Sequence, residues 1–150
     1  MDGIDRNILR ILQEDSTVAM AELARRVGLS HTPCWRRVKQ LEECGAIRER
    51  VVILDPVIMG MNVHVLANIR LKAHDEETLN AFETAARERP EIVECFIMGG
   101  ESDYAVRIVV GSIEEYEHLL KKVLLHFPGV ASVNSHFALK CVKNTTRLPL

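Results

Sequence analysis

Residues 23–41 read LARRVGLSHTPCWRRVKQL, and the spacing of their apolar, glycine and basic residues predicts two short helices joined by a tight turn. Gly28 supplies the turn between the helices. Ser30 is a favourable N-cap for the second helix, and Pro33 falls in its first turn, where a missing N–H group costs nothing. The buried face of this helix is predicted to contain Cys34, Val38 and Leu41. The stretch therefore predicts a helix-turn-helix.

The flanking segments extend this prediction. An apolar stripe at helical spacing across residues 4–12 predicts a preceding helix. Gly45 is suited to end the last helix of the motif. The β-branched residues at 47–54 predict a strand, or the wing of a winged helix-turn-helix. Asp55-Pro56 and Gly60 then predict a hinge before a second domain.

The charge pattern of residues 23–41 indicates a DNA-binding surface. Five basic residues and no acidic one lie there, although the whole chain has a formal net charge of −2. The face opposite the buried one contains Thr32, Trp35, Arg36, Lys39 and Gln40, with Arg37 at its flank. Arginine, lysine and glutamine reach base edges in the major groove, and Ser30 at the helix N-terminus suits a phosphate. Arg25 and Arg26 are expected to contact the DNA backbone.

A different interpretation is a solvated helical hairpin whose basic residues only aid solubility. Trp35 argues against it, because a large aromatic side chain on an exposed basic face calls for a covering surface. That cover is either the predicted wing or DNA, and both fit the sequence. Double-stranded DNA is therefore the expected partner of this face.

The remainder of the chain alternates strand and helix patterns. Strands are predicted at residues 63–72, 92–98, 104–110 and 130–142, and helices at residues 76–89 and 112–123. This βαββαβ order is the ferredoxin-like arrangement with an antiparallel sheet, so the fold class is α+β. Helices cover only one face of such a sheet. A second copy is expected to cover the other face, which predicts a homodimer.

The composition argues against several classes of protein. The four cysteines have no C-x-x-C spacing and the six histidines are scattered, so neither disulfides nor a metal site is expected. The cysteines are expected to be reduced and mostly packed. The most apolar segment, residues 51–71, is interrupted by polar residues, and no secretory signal is found. A cytoplasmic protein without a membrane partner is expected.

Several motifs follow one another along the chain. They are IDRNIL at residues 4–9, the quoted stretch with its continuation to residue 42, LDP at 54–56, GESDY at 100–104 and KNTTRLPL at 143–150. Together they resemble the Lrp/AsnC (feast/famine) transcriptional regulators over essentially the whole chain. The resemblance implies a sequence-specific DNA-binding regulator without a cofactor. It also implies an amino-acid effector and homodimers that assemble further to an octamer.

The resemblance places the effector site at the turn that contains GESDY, where dimers meet. Gly99 and Gly100 can offer backbone N–H groups to a carboxylate, and Asp103 can pair with an ammonium group. Ser102 stands where the family often has a bulkier residue, so the pocket is expected to admit a different side chain. The competing interpretation is an ordinary hairpin in which Asp103 bonds its own backbone.

The last predicted strand contributes to the same site. Its alternation directs Val133, Phe137 and Leu139 towards the helices and leaves the polar residues on the opposite face. The predicted effector-binding residues are Gly99, Gly100, Glu101, Asp103, Tyr104, Ser132, Asn134 and His136. For His136, a ligand contact and a solvated strand position both fit.

These patterns predict three parts: a DNA-binding domain at residues 1–54, a linker at 55–62 and an oligomerisation and effector-binding domain at 63–150. Two other functions compete with a regulator. One is a tetrapyrrole (haem-precursor) decarboxylase of the same architecture, and the other is an amino-acid-binding module that has lost DNA binding. The intact basic helix argues against both, and no catalytic cluster stands out, so the chain is not expected to be an enzyme.

Overall fold

The computed structural model describes all 150 residues. Residues 1–53 and 142–150 form one unit, and residues 54–141 form the other. Neither unit contains a helix with the length and apolar composition needed to cross a membrane.

The first unit contains three helices: α1 (Gly3–Glu14), α2 (Met20–Arg26) and α3 (His31–Glu43). Asp2 begins α1 in a capping box with Asp5, so each of these side chains accepts a hydrogen bond from the other's backbone N–H group. Gly28 adopts φ 70° between α2 and α3, which confirms the predicted tight turn. The core of this unit consists of Ile8, Leu23, Ala24, Cys34, Val38 and Leu41.

The strand or wing predicted at residues 47–54 is wrong for the single chain. Residues 48–55 have no regular secondary structure, and the side chains of Val52 and Ile53 are 84% and 71% exposed. A strand requires a neighbouring strand for its backbone hydrogen bonds, and no segment of this chain pairs with these residues. High β-propensity alone therefore does not form a strand here.

The second unit has the predicted βαββαβ order. Its elements are β1 (Val63–Leu71), α4 (Glu76–Arg87), β2 (Ile92–Ile97), β3 (Tyr104–Val110), α5 (Ile113–Lys122), a 3₁₀ turn (Leu124–His126) and β4 (Val130–Phe137). The strands form one antiparallel sheet in the order β2-β3-β1-β4. The α+β fold class is confirmed.

The helices of the second unit cover one face of the sheet. Core-facing positions of β1 and β3 alternate with open positions, so that Val65 and Ile108 are fully buried while Leu66 is 52% exposed. Phe82 of α4 lies at the centre of this core, with its ring centroid 4.4 Å from that of Tyr104 and 5.9 Å from that of Phe127. The opposite face of the sheet, which we call the open face, is not covered by any part of the chain.

The last strand is shorter than predicted. β4 ends at Phe137, which pairs with Val65 near the beginning of β1. Beyond this point β1 offers few further residues for pairing, so β4 ends there. Val133 and Phe137 lie on the helix side as predicted, and the Phe137 ring packs edge-on against Tyr116 of α5. Leu139 was predicted to face the helices, but it is fully exposed because it lies beyond the sheet.

Candidate DNA-binding helix and effector turn

The predicted buried face of α3 is confirmed. Cys34, Val38 and Leu41 are at most 5% exposed, because they pack against α1 and α2. The residues predicted for DNA contact on the opposite side, Thr32, Trp35, Arg36, Lys39 and Gln40, are all exposed. The exposed face of α3 thus presents two cationic groups, an amide and an indole together.

The structure differs from the sequence-based expectations for Ser30 and for Trp35. Ser30 is the N-cap residue of α3, but its side chain makes no capping hydrogen bond. Its hydroxyl group is therefore free for another acceptor. Trp35 is 47% exposed, and no wing strand is present in this chain to pack on it.

Arg37, which was predicted to flank the DNA-binding face, has two acidic partners at the beginning of α1. One of its terminal nitrogens lies 2.7 Å from a carboxylate oxygen of Asp2 and 2.8 Å from one of Asp5. These hydrogen bonds, led by the one to Asp5, raise the pKa of Arg37. The Arg37 side chain therefore joins α3 to the beginning of α1.

Three of the remaining basic residues are also paired, and only Arg36 is not. Glu22 accepts hydrogen bonds from Arg25 and Arg26 at 2.7–2.8 Å, and Lys39 lies 2.9 Å from Glu42. The bonds from the two arginines lower the pKa of Glu22 to about 2, so it remains ionised near neutral pH. Glu22 and Glu42 each lie one residue outside the stretch 23–41, so the lack of acidic residues within that stretch did not predict these ion pairs.

The pairing of Glu22 gives a prediction about DNA affinity. Glu22→Gln should tighten DNA binding several-fold, because it frees Arg25 and Arg26 for phosphates and removes a negative charge from the surface. The dependence of log K on log salt should become steeper by roughly 1 for each arginine that gains a phosphate. Fluorescence anisotropy at several salt concentrations measures both effects. Glu14→Gln is the control, because Glu14 is exposed and has no ion-pair partner. Equal affinities of the two variants would contradict the prediction.

The turn of residues 99–103, which we call the effector turn because the effector site is predicted there, is attached to the end of β1 through Asp103. One carboxylate oxygen of Asp103 accepts a hydrogen bond from the Leu71 N–H group at 2.7 Å, and the other lies 2.8 Å from Nε2 of His74. The Asp103 N–H group donates to the Ile69 carbonyl at 2.9 Å. The pKa of Asp103 is lowered, first by the Leu71 bond and then by His74. Both oxygens predicted to bind an effector ammonium group are therefore already engaged.

Arg70 is a residue of this site that the sequence analysis missed. Its Nε donates to the Glu101 carbonyl at 2.6 Å, and it lies opposite Ser132 in the sheet. The alternation of β1 predicts that Arg70 faces away from the helices, but its neighbours depend on strand register, which the sequence did not predict. The structure thus brings Arg70, Glu101 and Ser132 together at one end of the open face.

The other predicted residues of β4 are more distant from the turn. Asn134 and His136 share the open face with Ser132, opposite Asn68 and Leu66, as the alternation predicted. His136 is four residues from Ser132, which is roughly 13 Å along a strand. Within one chain, these positions and the turn therefore do not form a single compact pocket.

Tyr104 lies on the helix side of the sheet, away from the predicted polar face. It is 1% exposed, and its hydroxyl group donates to Glu83 of α4 at 3.1 Å. It lines a cavity of about 390 Å³ between α4 and β2, together with Arg87 and Cys95, and no other predicted effector residue lines this cavity. In the single chain Tyr104 is therefore a core residue.

The burial of Tyr104 gives a pH prediction. Burial, followed by the hydrogen bond with Glu83, raises the pKa of Tyr104 to about 12 from 10.0. A raised pKa in the folded state means that the stabilisation is complete below pH 10 and is lost as the pH rises from 10 to about 12. Burial also raises the pKa of Tyr116, the only other tyrosine. We expect tyrosinate absorbance to appear only together with alkaline unfolding followed by circular dichroism. Ionisation near pH 10 in the folded protein would contradict this expectation.

The cysteines differ in part from expectation. All four are free thiols, but only Cys34 is buried, so the prediction of mostly packed cysteines is wrong. Cys44 lies just after α3, Cys95 on the edge strand β2 and Cys141 beyond β4, and these positions leave their side chains exposed. No group of histidine, cysteine and acidic side chains in the structure is arranged to hold a metal ion.

Comparison with known families assigns both units. Residues 1–42 match the AsnC-type helix-turn-helix domain, and residues 64–148 match the Lrp/AsnC ligand binding domain. The chain belongs to the Lrp/AsnC family. It is 37% identical over 150 residues to the DNA-binding transcriptional activator DecR of Escherichia coli K12, which covers 100% of this chain and 99% of that protein.

Solved structures agree with this family. An AsnC family transcriptional regulator from Agrobacterium tumefaciens is 48% identical with a TM-score of 0.94, covering 99% of this chain and 97% of that one. A transcriptional regulator from Neisseria meningitidis in complex with L-Met is 33% identical with a TM-score of 0.94, covering 99% and 96%. The Lrp/AsnC protein described here is accordingly a DNA-binding transcriptional regulator and not an enzyme. The decarboxylase alternative has no support among these relatives.

Proposed function

We propose that α3 is the recognition helix of this Lrp/AsnC regulator and that an amino acid bound at the turn of residues 99–103 adjusts its binding to DNA. The observation that carries the proposal is the two-sided character of α3, which buries Cys34 and Val38 while it presents Arg36 and Lys39 outward. A helix supported in this way can enter the major groove without exposing its own core.

The exposed side chains of α3 divide into two groups by what they can reach on DNA. Arg36, Lys39 and Gln40 have the length and donors to contact base edges. Thr32 and Trp35 border them, and Trp35 can pack on the DNA backbone because no wing covers it. The Ser30 hydroxyl group is free to bind a phosphate at the helix N-terminus. Phosphate contacts by Arg25 and Arg26 would require exchange of their bonds with Glu22, and Arg37 would have to leave Asp2 and Asp5.

At the effector turn, the accessible hydrogen-bond donors are those suited to a carboxylate. The backbone N–H groups of Gly99 and Gly100 donate no hydrogen bond within the chain. The Arg70 side chain is 56% exposed, and one of its terminal nitrogens lies 3.9 Å from the Glu101 carboxylate, which is 96% exposed. This ion pair is long and solvated, so a ligand with both charges can separate its partners at little cost. We therefore assign the α-carboxylate of an amino acid to the glycines and Arg70, and its ammonium group to Glu101 in place of Asp103.

The open face of the sheet is the surface on which we expect a second copy to pack. Leu66 and Phe96 on this face are 52% and 58% exposed, and burial of such side chains favours association. A homodimer would cover them and could bring Asn134 and His136 of one copy near the other's site. Further assembly to an octamer and a cytoplasmic location belong to the same proposal. So do a DNA-binding domain at residues 1–54, a linker at 55–62 and an effector and oligomerisation domain at 63–150, of which residues 142–150 pack with the first unit.

A thermal-shift screen of the twenty amino acids tests the effector part of the proposal. A true effector at a hundred times its Kd should stabilise the protein by about 2.7 kcal/mol. In Arg70→Ala, at least ten times more ligand should be needed for the same stabilisation. Lys72→Ala, which removes an exposed basic residue two positions further along the chain, should not change the ligand concentration required. Absence of stabilisation by every amino acid, or equal responses of the two variants, would refute the assignment.

A further inference from the structure

The C-terminal segment of the chain packs on the first helix of the DNA-binding unit. Residues 142–150 belong to that unit by their contacts, although they continue directly from β4 of the other unit. The side-chain amide of Gln13 donates to the Leu148 carbonyl at 3.0 Å and accepts from the Leu148 N–H group at 2.9 Å. Arg10 Nε donates to the Leu150 carbonyl at 3.0 Å. Residues 148–150, which we call the tail, are thus held by their backbone atoms.

The surface that holds the tail has the chemistry of a backbone-recognition site. A glutamine side-chain amide carries an NH2 donor group and a carbonyl acceptor in one plane, which match the carbonyl and N–H groups of a single residue. Asn7 accepts a hydrogen bond from Arg10 at 2.6 Å and so orients the guanidinium group towards Leu150. Asn7, Arg10 and Gln13 are spaced by three residues and therefore lie along one side of α1.

The tail has a shape suited to this site. Pro149 lacks an N–H group and has a fixed φ, so fewer conformations are lost when the tail docks. The Leu150 N–H group donates to the Leu148 carbonyl at 2.9 Å, which forms a tight turn around the proline. These local restraints lower the entropic cost of docking.

The helix that binds the tail also supports the recognition helix. Ile8 of α1 is fully buried in the core that it shares with Cys34 and Val38, and the Asp2 and Asp5 carboxylates at the beginning of α1 hold Arg37 of α3. Anything that stabilises α1 therefore also stabilises the core against which α3 packs. The tail is placed to do this from the far end of the chain.

We propose that Asn7, Arg10 and Gln13 form a docking site for the tail of the same chain, and that the docked tail stabilises the DNA-binding unit. The segment beyond β4 is continuous with the effector-binding unit. Release of the docked tail would therefore lower the stability of α1, and this is how a change in one unit could reach the other. The stabilisation requires only the contacts described here, whereas its consequence for regulation rests on the proposed function.

Amide hydrogen exchange of the full-length protein tests the docking. The Leu148 amide should be protected in the wild type, since its N–H group is bonded to Gln13. In Gln13→Ala it should exchange roughly tenfold faster or more, and the slowest amides of α1 should also exchange several-fold faster, as expected from the loss of two hydrogen bonds. Glu14→Ala is the matched control, because Glu14 is the next residue of α1 and forms no hydrogen bond or ion pair with the tail.

Three results would overturn the proposal. The first is a Leu148 amide that is not protected in the wild type. The second is equal exchange rates of the α1 amides in Gln13→Ala and Glu14→Ala. The third is protection of the Leu148 amide that falls when the protein is diluted. The last result would assign the docked tail to a second copy. DNA binding by the wild type, measured in parallel, separates this question from the proposed function, because its loss would reject the function without affecting the exchange result.

Discussion

Arg36→Ala/Lys39→Ala should weaken DNA binding about a hundredfold or more while leaving the fold and oligomeric state unchanged. Both side chains are exposed on α3 and neither contributes to its buried face. Loss of a base contact typically costs about 1–3 kcal/mol, and each lost phosphate contact reduces the slope of log K against log salt by about 0.9. Arg36 should account for most of the loss, because it alone has no acidic partner, whereas Lys39 has to leave Glu42.

A charge-matched control separates this effect from general electrostatics. Arg6→Ala/Lys121→Ala also removes two positive charges, one from each unit and both from exposed positions. It should change the affinity only slightly, since neither residue lies on α3 and an exposed charge adds to DNA affinity mainly where it meets a phosphate. Equal losses in the two double variants would reject α3 as the recognition helix. Size-exclusion chromatography checks that assembly is intact.

Phe82→Ala should destabilise the second unit by about 3–5 kcal/mol. Phe82 is fully buried, and its ring contacts those of Tyr104 and Phe127, so its removal leaves a cavity lined by aromatic side chains. Tyr104 follows directly after the effector turn, so the response to an amino acid should be lost together with stability. Chemical denaturation followed by circular dichroism measures the change in the free energy of unfolding.

Ile113→Ala is the control for this substitution. Ile113 is a large apolar residue at the beginning of α5, but it is 61% exposed, so its truncation should change stability by about 0.5 kcal/mol or less. A cost below about 1 kcal/mol for Phe82→Ala would mean that the core relaxes around the missing ring, contrary to the close packing described here.

Much of the fold could be predicted from the sequence, because local patterns encode it. The periodicity of α3 correctly predicted its buried and exposed faces, and Gly28 correctly marked the turn before it. The alternation in β4 likewise placed Ser132 on the open face. The segment at residues 47–54 has an equally clear β-branched pattern and yet forms no strand, since strand formation depends on a partner as well as on composition.

The partners of the charged side chains could not be predicted in the same way. Arg37 and Asp2 are distant in sequence and meet only because α1 packs against α3. Asp103 binds Leu71 and His74 through the pairing of β1 with β3, which no local pattern specifies. Arg70 reaches the effector turn for the same reason, because the pairing of Ile69 with Tyr104 places it next to Glu101.

The order of residues alone thus determined the helix-turn-helix, the βαββαβ arrangement and the direction in which each side chain of α3 points, because these follow from the 3.6-residue and two-residue periods of the backbone. Tertiary structure decided which charges remain free. It left Arg36 unpaired while it paired Arg37 with Asp2 and Asp5, and it engaged both carboxylate oxygens of Asp103 with Leu71 and His74. The physical reason is that an ion pair or a hydrogen bond depends on distance in space, and only packing and strand register set that distance.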